Sequence, residues 1–156
     1  MRSFYAEAEI LVAEVQTLYQ DGAFGVHTRN LRYGKLVTGE LLTVQPSLVR
    51  RSRSHFVLFE WGVEVILGLN GFIWVGKPRP PADEQDLETI YSLKLAPVTR
   101  EERIAITRTR NCLLLLDRTF HSIEERTISA LYKQTISMAP TEILSLEESL
   151  VANLIN

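Results

Sequence analysis

The strongest apolar pattern of the chain lies in residues 63–76, V-E-V-I-L-G-L-N-G-F-I-W-V-G. Apolar residues alternate with other residues from Val63 to Leu67, and a β-branched and aromatic run extends from Phe72 to Val75, as in two strands. Asn70-Gly71 between them is a strong hairpin signal, because a primed turn needs a positive φ at both central residues. The pattern predicts a mostly buried hairpin around which the chain is organised. Its structural turn residues are Gly68, Asn70 and Gly71.

Strand patterns also dominate the rest of the first half. Glu9 to Tyr19 alternates between apolar and polar residues, and a second short run follows Asp21-Gly22, so we predict a hairpin over residues 9–28. The stretch from Leu31 to Gly39 is typical of a loop. Glu40 to Gln45 then favours another strand, which Pro46 ends or confines to a sheet edge.

The last third has helical patterns instead. Thr99 to Glu102 is a capping box ahead of apolar residues at helical spacing, and Ser122 to Glu125 predicts a second box of the same kind. Pro140 begins a third pattern that suits a helix. A proline-rich and charged stretch predicts a mobile loop near residues 77–88. Strands followed by helices indicate an α+β fold.

Composition limits the possible functions. A chain of 156 residues with 46% hydrophobic content can bury a core in one domain, or in one domain plus an appendage. The net charge of -2 argues against a generally basic nucleic-acid binder, but residues 27–54 carry six cations against Glu40, a local charge of +5. We therefore expect one basic face.

The single cysteine and the apolar runs carry further expectations. Cys112 alone can build neither a disulfide framework nor a thiolate metal cluster, and we expect it to be part of the core in a protein from a reducing compartment. Because the longest purely apolar run extends only from Cys112 to Leu116, we predict neither a signal peptide nor a transmembrane helix.

Groups suited to catalysis are sparse. His27, His55 and His121 are far apart and occur in none of the histidine spacings typical of zinc enzymes, so we interpret them as structural or surface residues. Asp83 and Asp86 belong to the predicted mobile loop and favour a solvated acidic stretch over a cation site. We find no phosphate-binding or dinucleotide-binding glycine motif. The sequence therefore predicts a protein that is not an enzyme and needs no cofactor or metal.

Two features could bind nucleic acid. In residues 50–53, R-R-S-R, guanidinium groups could contact phosphates, and Phe56, Phe59 and Trp61 close behind could stack on bases. The alternative, a solvated turn followed by core aromatics, stays equally open. Residues 68–71 have the G-x-x-G form of the loop with which KH domains clamp a nucleic-acid backbone. That clamp joins two helices whereas this stretch joins two strands, so we favour a plain turn.

Three stretches resemble the eukaryotic exosome cap subunit family called ribosomal RNA-processing protein 4. They are H-T-R-N-L-R-Y-G-K-L at 27–36, L-G-L-N-G-F-I-W at 67–74 and R-T-R-N-C at 108–112, in the order of the family. The resemblance extends from Met1 to about Phe120. It implies the last strands of an S1 domain of OB-fold type in residues 1–37, without the earlier barrel strands. It also implies a KH-like domain with C-terminal helices in residues 38–156.

The resemblance also implies a function. A family member is a noncatalytic cap subunit that stabilises a ring of RNase PH-like subunits beside other cap subunits. It guides single-stranded RNA to the 3′–5′ exoribonuclease complex for rRNA processing and RNA degradation, without contacting a membrane. The implied location is the nucleus and nucleolus, and also the cytoplasm. The candidate RNA-binding residues are the six local cations, Arg29, Arg32, Lys35, Arg50, Arg51 and Arg53.

One departure from the KH pattern is visible. Where many KH domains carry I-G-x-x-G between their first helices, the matching place here, Val49 to Arg53, has no glycine. The resemblance therefore does not extend to the usual phosphate clamp, although the positive charge remains. The alternative function is a protein-interaction module that scaffolds an RNA-processing complex without contacting RNA itself.

Overall fold

The structure, a computed structural model, describes residues 5–29, 32–79, 97–146 and 151–153. It divides into two compact units. The first comprises Met1–Thr38 and Pro80–Ala96, and the second comprises Gly39–Arg79 and Pro97–Asn156. Strands precede helices along the chain, which confirms the predicted α+β class. The predicted mobile loop lies outside the described residues from residue 80 onward, as do Asp83 and Asp86.

The first unit contains four short strands, β1 Leu11–Val12, β2 Glu14–Leu18, β3 Phe24–His27 and β4 Gly34–Lys35. β2 pairs with β3 in the predicted hairpin, and β1 pairs with β4. The expectation of one continuous strand from Glu9 to Tyr19 was wrong, because Ala13 divides it. The expectation of a plain loop from Leu31 to Gly39 was also wrong, because β4 lies within it. That these strands end an S1 domain stays a prediction.

The second unit is built on a four-stranded antiparallel sheet of β5 Gly39–Thr43, β6 Phe56–Leu58, β7 Glu64–Leu67 and β8 Phe72–Gly76. The strand order is β5-β8-β7-β6, so the predicted hairpin of β7 and β8 is central. Because side chains alternate between the faces of a strand, one face collects the apolar residues of all four. The core residues from this face are Leu42, Val57, Val65, Leu67, Ile73 and Val75.

Three hairpins share one loop geometry. In the β7–β8 loop, Gly71 N donates to the Gly68 carbonyl and Gly68 N donates to the Phe72 carbonyl, both at 3.1 Å. Gly71 has a φ of +85° while Asn70 keeps a negative φ. This is a three-residue loop closed by a glycine bulge. The prediction of a primed turn with two positive φ angles was therefore wrong, because the loop is one residue longer. The glycines at this position in the other two loops are Gly22 and Gly62.

Two α-helices, α1 Arg100–Arg118 and α2 Glu125–Gln134, follow the sheet. The first predicted capping box is confirmed, since Thr99 Oγ1 accepts from Glu102 N at 3.2 Å and a Glu102 carboxylate oxygen accepts from Thr99 N at 2.8 Å. The second box was misplaced. Glu124, not Ser122, is the N-cap, and its backbone N–H donates to Thr127 Oγ1 at 3.2 Å.

Shorter helical pieces complete the second unit. A 3-10 helix spans Pro46–Leu48, and another spans Glu142–Ser145 where a longer helix was expected after Pro140. Residues 151–153 are helical, and 147–150 and 154–156 lie outside the described residues. None of the helices within the described ranges combines the length and apolarity that a membrane span requires.

The core lies between the sheet and the two α-helices. Leu113 and Leu116 of α1 and Ile128 and Leu131 of α2 are fully buried. Burying each such side chain stabilises the folded state by roughly 1.5–3 kcal/mol, so these side chains stabilise the second unit. Cys112 is also fully buried, which confirms its predicted place in the core.

Candidate nucleic-acid interface

The candidate cations of the second unit lie on an irregular segment, Arg50–Ser54, between the 3-10 helix and β6; we call it the basic segment. Its position is fixed by Val49, which forms a parallel bridge with Ile123. Arg50 N donates to the Ile123 carbonyl at 3.1 Å, and Ile123 N donates to the Leu48 carbonyl at 2.8 Å. Since Ile123 directly precedes Glu124, the N-cap of α2, this bridge brings the N-terminal end of that helix beside the basic segment.

An open cleft of about 580 Å³ lies between the basic segment and α2; we call it the basic cleft. One wall carries Arg50 and Arg51, and the other carries Arg126 and Lys133 together with the carboxylates of Glu124 and Glu125. Four cations against two carboxylates leave the cleft with an excess of positive charge. The remaining lining residues are small or apolar: Ser52, Ser54, Val57, Leu67, Ser129 and Ala130.

Most of this positive charge is available to a ligand. Arg50 pairs with Glu124 only at 3.7 Å, and the Arg50 side chain is 68% exposed. Lys133 lies 3.9 Å from Glu60 in an exposed pair. Exposed ion pairs contribute little, because water and salt screen them. Arg51, Arg53 and Arg126 are exposed and form no ion pair within the part of the chain that the structure describes. Arg53 does not line the basic cleft.

The other three candidate cations, Arg29, Arg32 and Lys35, lie in the first unit. Arg29 and Arg32 are exposed. Lys35 Nζ donates to a Glu9 carboxylate oxygen at 2.8 Å and lies 5.9 Å from the Tyr5 ring centre. This hydrogen bond is the main reason that the pKa of Glu9 is lowered. The charge of Lys35 is thus matched within its own unit, which makes Lys35 a weaker candidate for RNA contact than Arg29.

Of the three aromatic candidates, Phe59 and Trp61 support the core interpretation. Phe59 is buried, and its ring stacks on Trp61 at 4.5 Å between ring centres. Trp61 stacks in turn on Tyr132 at 3.8 Å and donates its indole N–H to Thr109 Oγ1 at 3.1 Å. Phe56 is half-buried, with the Arg79 guanidinium 5.5 Å from its ring centre. Phe59 and Trp61 therefore hold α1 and α2 to the sheet and do not offer free faces to bases.

The R-T-R-N-C motif at residues 108–112 is also structural. Buried Arg108 donates to the carbonyl of Thr135 and, at 2.8 Å, to that of Met138, both just beyond the end of α2. Arg110 pairs with Glu40 of β5 at 2.8 Å. Asn111 donates its amide to the Pro140 carbonyl at 2.8 Å. These contacts provide donors to three carbonyls in the segment that follows α2, and they fasten α1 to that segment and to β5.

The G-x-N-G turn packs against the chain just after β5. The Gly71 carbonyl accepts from Val44 N at 2.8 Å, and a Cβ at Gly71 would lie 2.5 Å from the Val44 carbonyl oxygen. The Asn70 side-chain oxygen accepts from Phe72 N at 3.2 Å. A Cβ at Gly68 would lie 2.2 Å from the Phe72 carbonyl oxygen. These contacts give the turn a structural role in holding the hairpin to the chain after β5.

The comparison of Val49–Arg53 with a helix-joining KH loop needs correction. A 3-10 helix of three residues precedes this stretch and strand β6 follows it, so it does not join two helices. Sequence reasoning also missed Arg126 and Lys133. The only signal for them was their seven-residue separation on one helix, which is equally typical of a solvated face.

The histidines have few hydrogen-bond partners within the described residues. His121 Nδ1 lies 2.9 Å from Thr119 Oγ1. His27 Nδ1 and His55 Nδ1 are buried without a hydrogen-bond partner within the described residues. Over the same residues, no three His, Cys, Asp or Glu side chains are grouped closely enough to hold a metal ion. Burial raises the pKa of the Cys112 thiol to about 11, which makes it a poor nucleophile at neutral pH.

The sequence is similar to those of known proteins. A KH-domain family model matches residues 39–81. The chain is 46% identical over 116 residues to exosome complex component RRP4 of Mus musculus, a match that covers 74% of this chain and 39% of that protein. It is 33% identical over 159 residues to exosome complex component rrp4 of Schizosaccharomyces pombe, covering 96% and 48%. It is 34% identical over 149 residues to the Caenorhabditis elegans RRP4 homolog, covering 95% and 48%. The chain thus spans half or less of the length of these relatives.

Proposed function

This chain belongs to the RRP4 family of exosome complex components, and from that premise we propose that it is a noncatalytic RNA-binding cap subunit of the exosome. In this role it stabilises the ring of RNase PH-like subunits beside the other cap subunits. It guides single-stranded RNA towards the exoribonuclease for rRNA processing and RNA degradation. The proposed location is the nucleus and nucleolus, with a further pool in the cytoplasm.

The observation that carries RNA binding is the set of exposed guanidinium groups on the basic segment of a KH domain. Arg51 and Arg53 have no ion-pair partner within the described residues, and Arg50 has only a distant one. Three cations within four residues repel one another, and a nearby row of phosphates would relieve this repulsion. Arg29 and Arg32 on the first unit are proposed as further contacts, and Lys35 as a weaker one.

Titration of the purified chain with a fluorescein-labelled single-stranded RNA at several salt concentrations tests this proposal. Neutralising Arg50, Arg51 and Arg53 to Gln should weaken binding and flatten its salt dependence. Each lost phosphate contact removes about 0.7 from the slope of log K against log salt on a single strand. Exposed Arg100 and Arg103 of α1 provide a control variant. Equal effects of the site variant and the control variant would contradict a defined site on the basic segment.

A second candidate is a protein-interaction module that does not contact RNA. It is favoured by the exposed apolar residues of the β2–β3 hairpin, where Leu18 is 79% exposed, Phe24 63% and Val15 55%. Exposed apolar patches of this kind mark protein contacts in many proteins. Binding to purified ring subunits that is insensitive to salt and lost in Val15→Ser/Phe24→Ser, without any RNA binding by the chain, would favour this candidate.

A further inference from the structure

We propose that α2 forms the second wall of an RNA phosphate site, in which Arg126 and Lys133 bind phosphates of a single strand held against Arg50 and Arg51. This inference rests on the proposed RNA-binding function and extends its site across the basic cleft. The ligand is a single-stranded phosphodiester chain. The juxtaposition depends on the Val49–Ile123 bridge, which places the start of α2 beside the basic segment.

The spacing of residues on α2 supports a site for more than one phosphate. Arg126, Ser129 and Lys133 occupy positions i, i+3 and i+7, so all three lie on the face that lines the cleft. Seven residues of helix rise about 10 Å, which separates the two cations by more than one phosphate can span. Ser129 and Ala130 between them have short side chains and leave room for the backbone of a nucleic acid.

The charges around the cleft set how strongly it can bind. Arg126 has no ion pair within the described residues, and the Glu60 carboxylate near Lys133 is almost fully exposed. The dipole of α2 adds partial positive charge at its N-terminal turn. Glu124 and Glu125 oppose an anion, and Glu124 also neutralises part of the charge of Arg50. Binding of a phosphate at Arg50 therefore competes with the Arg50–Glu124 pair.

Because of this competition, removing the α2 cations and removing the Glu124 charge should change the RNA affinity in opposite directions. In the full chain, Arg126→Gln/Lys133→Gln should weaken binding of a fluorescein-labelled oligouridine about 25-fold at 0.1 M salt and reduce the salt slope by about 1.4. Arg100→Gln/Arg103→Gln changes the net charge equally but lies on α1, outside the cleft, and should leave the slope almost unchanged. Glu124→Gln should tighten binding roughly 1.5- to 5-fold, the range expected for releasing an exposed ion pair. Glu101→Gln on α1 is its charge-matched control.

The outcomes separate this inference from the proposed function. If the unsubstituted chain does not bind the oligouridine, the proposed function and the inference both fail. If it binds and only the Arg50, Arg51 and Arg53 substitutions weaken binding, the function stands but the second wall is refuted. Equal effects of the α2 and α1 double variants would also refute it, since nonspecific attraction of RNA to cations anywhere on the surface would then suffice. Urea unfolding of each variant, with unchanged midpoints, shows that lost binding does not reflect lost folding.

Discussion

Gly71→Ala should destabilise the second unit far more than the same substitution at Gly62. Both glycines close three-residue hairpin loops with similar backbone angles, φ +85° at Gly71 and φ +74° at Gly62. A side chain in this left-handed region costs roughly 1–2 kcal/mol. The surroundings differ, because a Cβ at Gly62 meets nothing within 4 Å whereas one at Gly71 would lie 2.5 Å from the Val44 carbonyl oxygen and 2.9 Å from Pro46 Cγ.

The extra cost at Gly71 follows from these contacts. The turn must move away from Val44, which weakens the 2.8 Å hydrogen bond from Val44 N to the Gly71 carbonyl. Losing such a bond costs about 1 kcal/mol, and relieving the overlap costs roughly 1–3 kcal/mol. We therefore expect about 1–2 kcal/mol for Gly62→Ala and about 3–6 kcal/mol for Gly71→Ala. The larger value is a substantial part of the roughly 5–15 kcal/mol that stabilises a typical domain.

Urea unfolding at 25 °C, followed by tryptophan fluorescence, measures both variants against the unsubstituted chain. The dependence of the free energy on urea should keep its slope, so that the shift in midpoint reports stability alone. Equal shifts for the two variants would refute the reasoning, because they would show that the turn does not press against Val44 and Pro46. A Gly71→Ala chain that still unfolds at the unsubstituted midpoint would refute the assigned backbone angle as well.

Three further predictions concern folding. Arg108→Gln should lower the unfolding free energy by roughly 1.5–3 kcal/mol in a urea titration, because it removes charged hydrogen bonds to the Thr135 and Met138 carbonyls. The control, Arg103→Gln at an exposed position, should change it by less than about 0.5 kcal/mol. Burial raises the pKa of Cys112 from 9.0 to about 11, so the folded state holds the thiol proton more tightly, and the free energy of unfolding should fall as the pH rises from about 9 to about 11. Cys112→Ala should remove this part of the pH dependence, and an unchanged profile would contradict the burial. The amide hydrogens of β7 and β8, in the middle of the sheet, should exchange more slowly than those of β2, where every residue is exposed. Equal protection from exchange would contradict the exposure of β2.

Local sequence signals predicted the elements but not their finer geometry. Asn70-Gly71 and Asp21-Gly22 correctly predicted two hairpins. They did not predict that each loop contains three residues, because loop length depends on how the glycine bulge fits the twist of the strands. The Glu60-Trp61-Gly62 loop was not predicted, since Trp61 was considered only as a residue that stacks on bases or as a core aromatic; it lies in the loop and also packs against the core. The N-cap of α2 is Glu124 and not Ser122, because Ile123 is held by Val49, a contact between residues far apart in sequence.

The sequence predicted the basic segment of the candidate site but not the cations of α2. The basic segment is conspicuous, since Arg50, Arg51 and Arg53 lie within four residues. Arg126 and Lys133 resemble any solvated helical cations until the fold brings α2 to the other side of the cleft. The aromatic residues behind the segment could not be assigned by sequence, because stacking among Phe59, Trp61 and Tyr132 is a property of the assembled core.

Ultraviolet crosslinking of RNA to the affinity-purified chain with its bound partners, followed by mass spectrometry, tests the proposed function most directly. We predict that ring subunits of the exosome co-purify with the chain and that crosslinked peptides contain the basic segment and the neighbouring part of α2. An Arg50→Gln/Arg51→Gln/Arg53→Gln chain should retain the ring subunits but lose most of the crosslinks. Purification without any exosome subunit, or an intact complex whose crosslinks lie wholly outside these residues, would contradict the proposal.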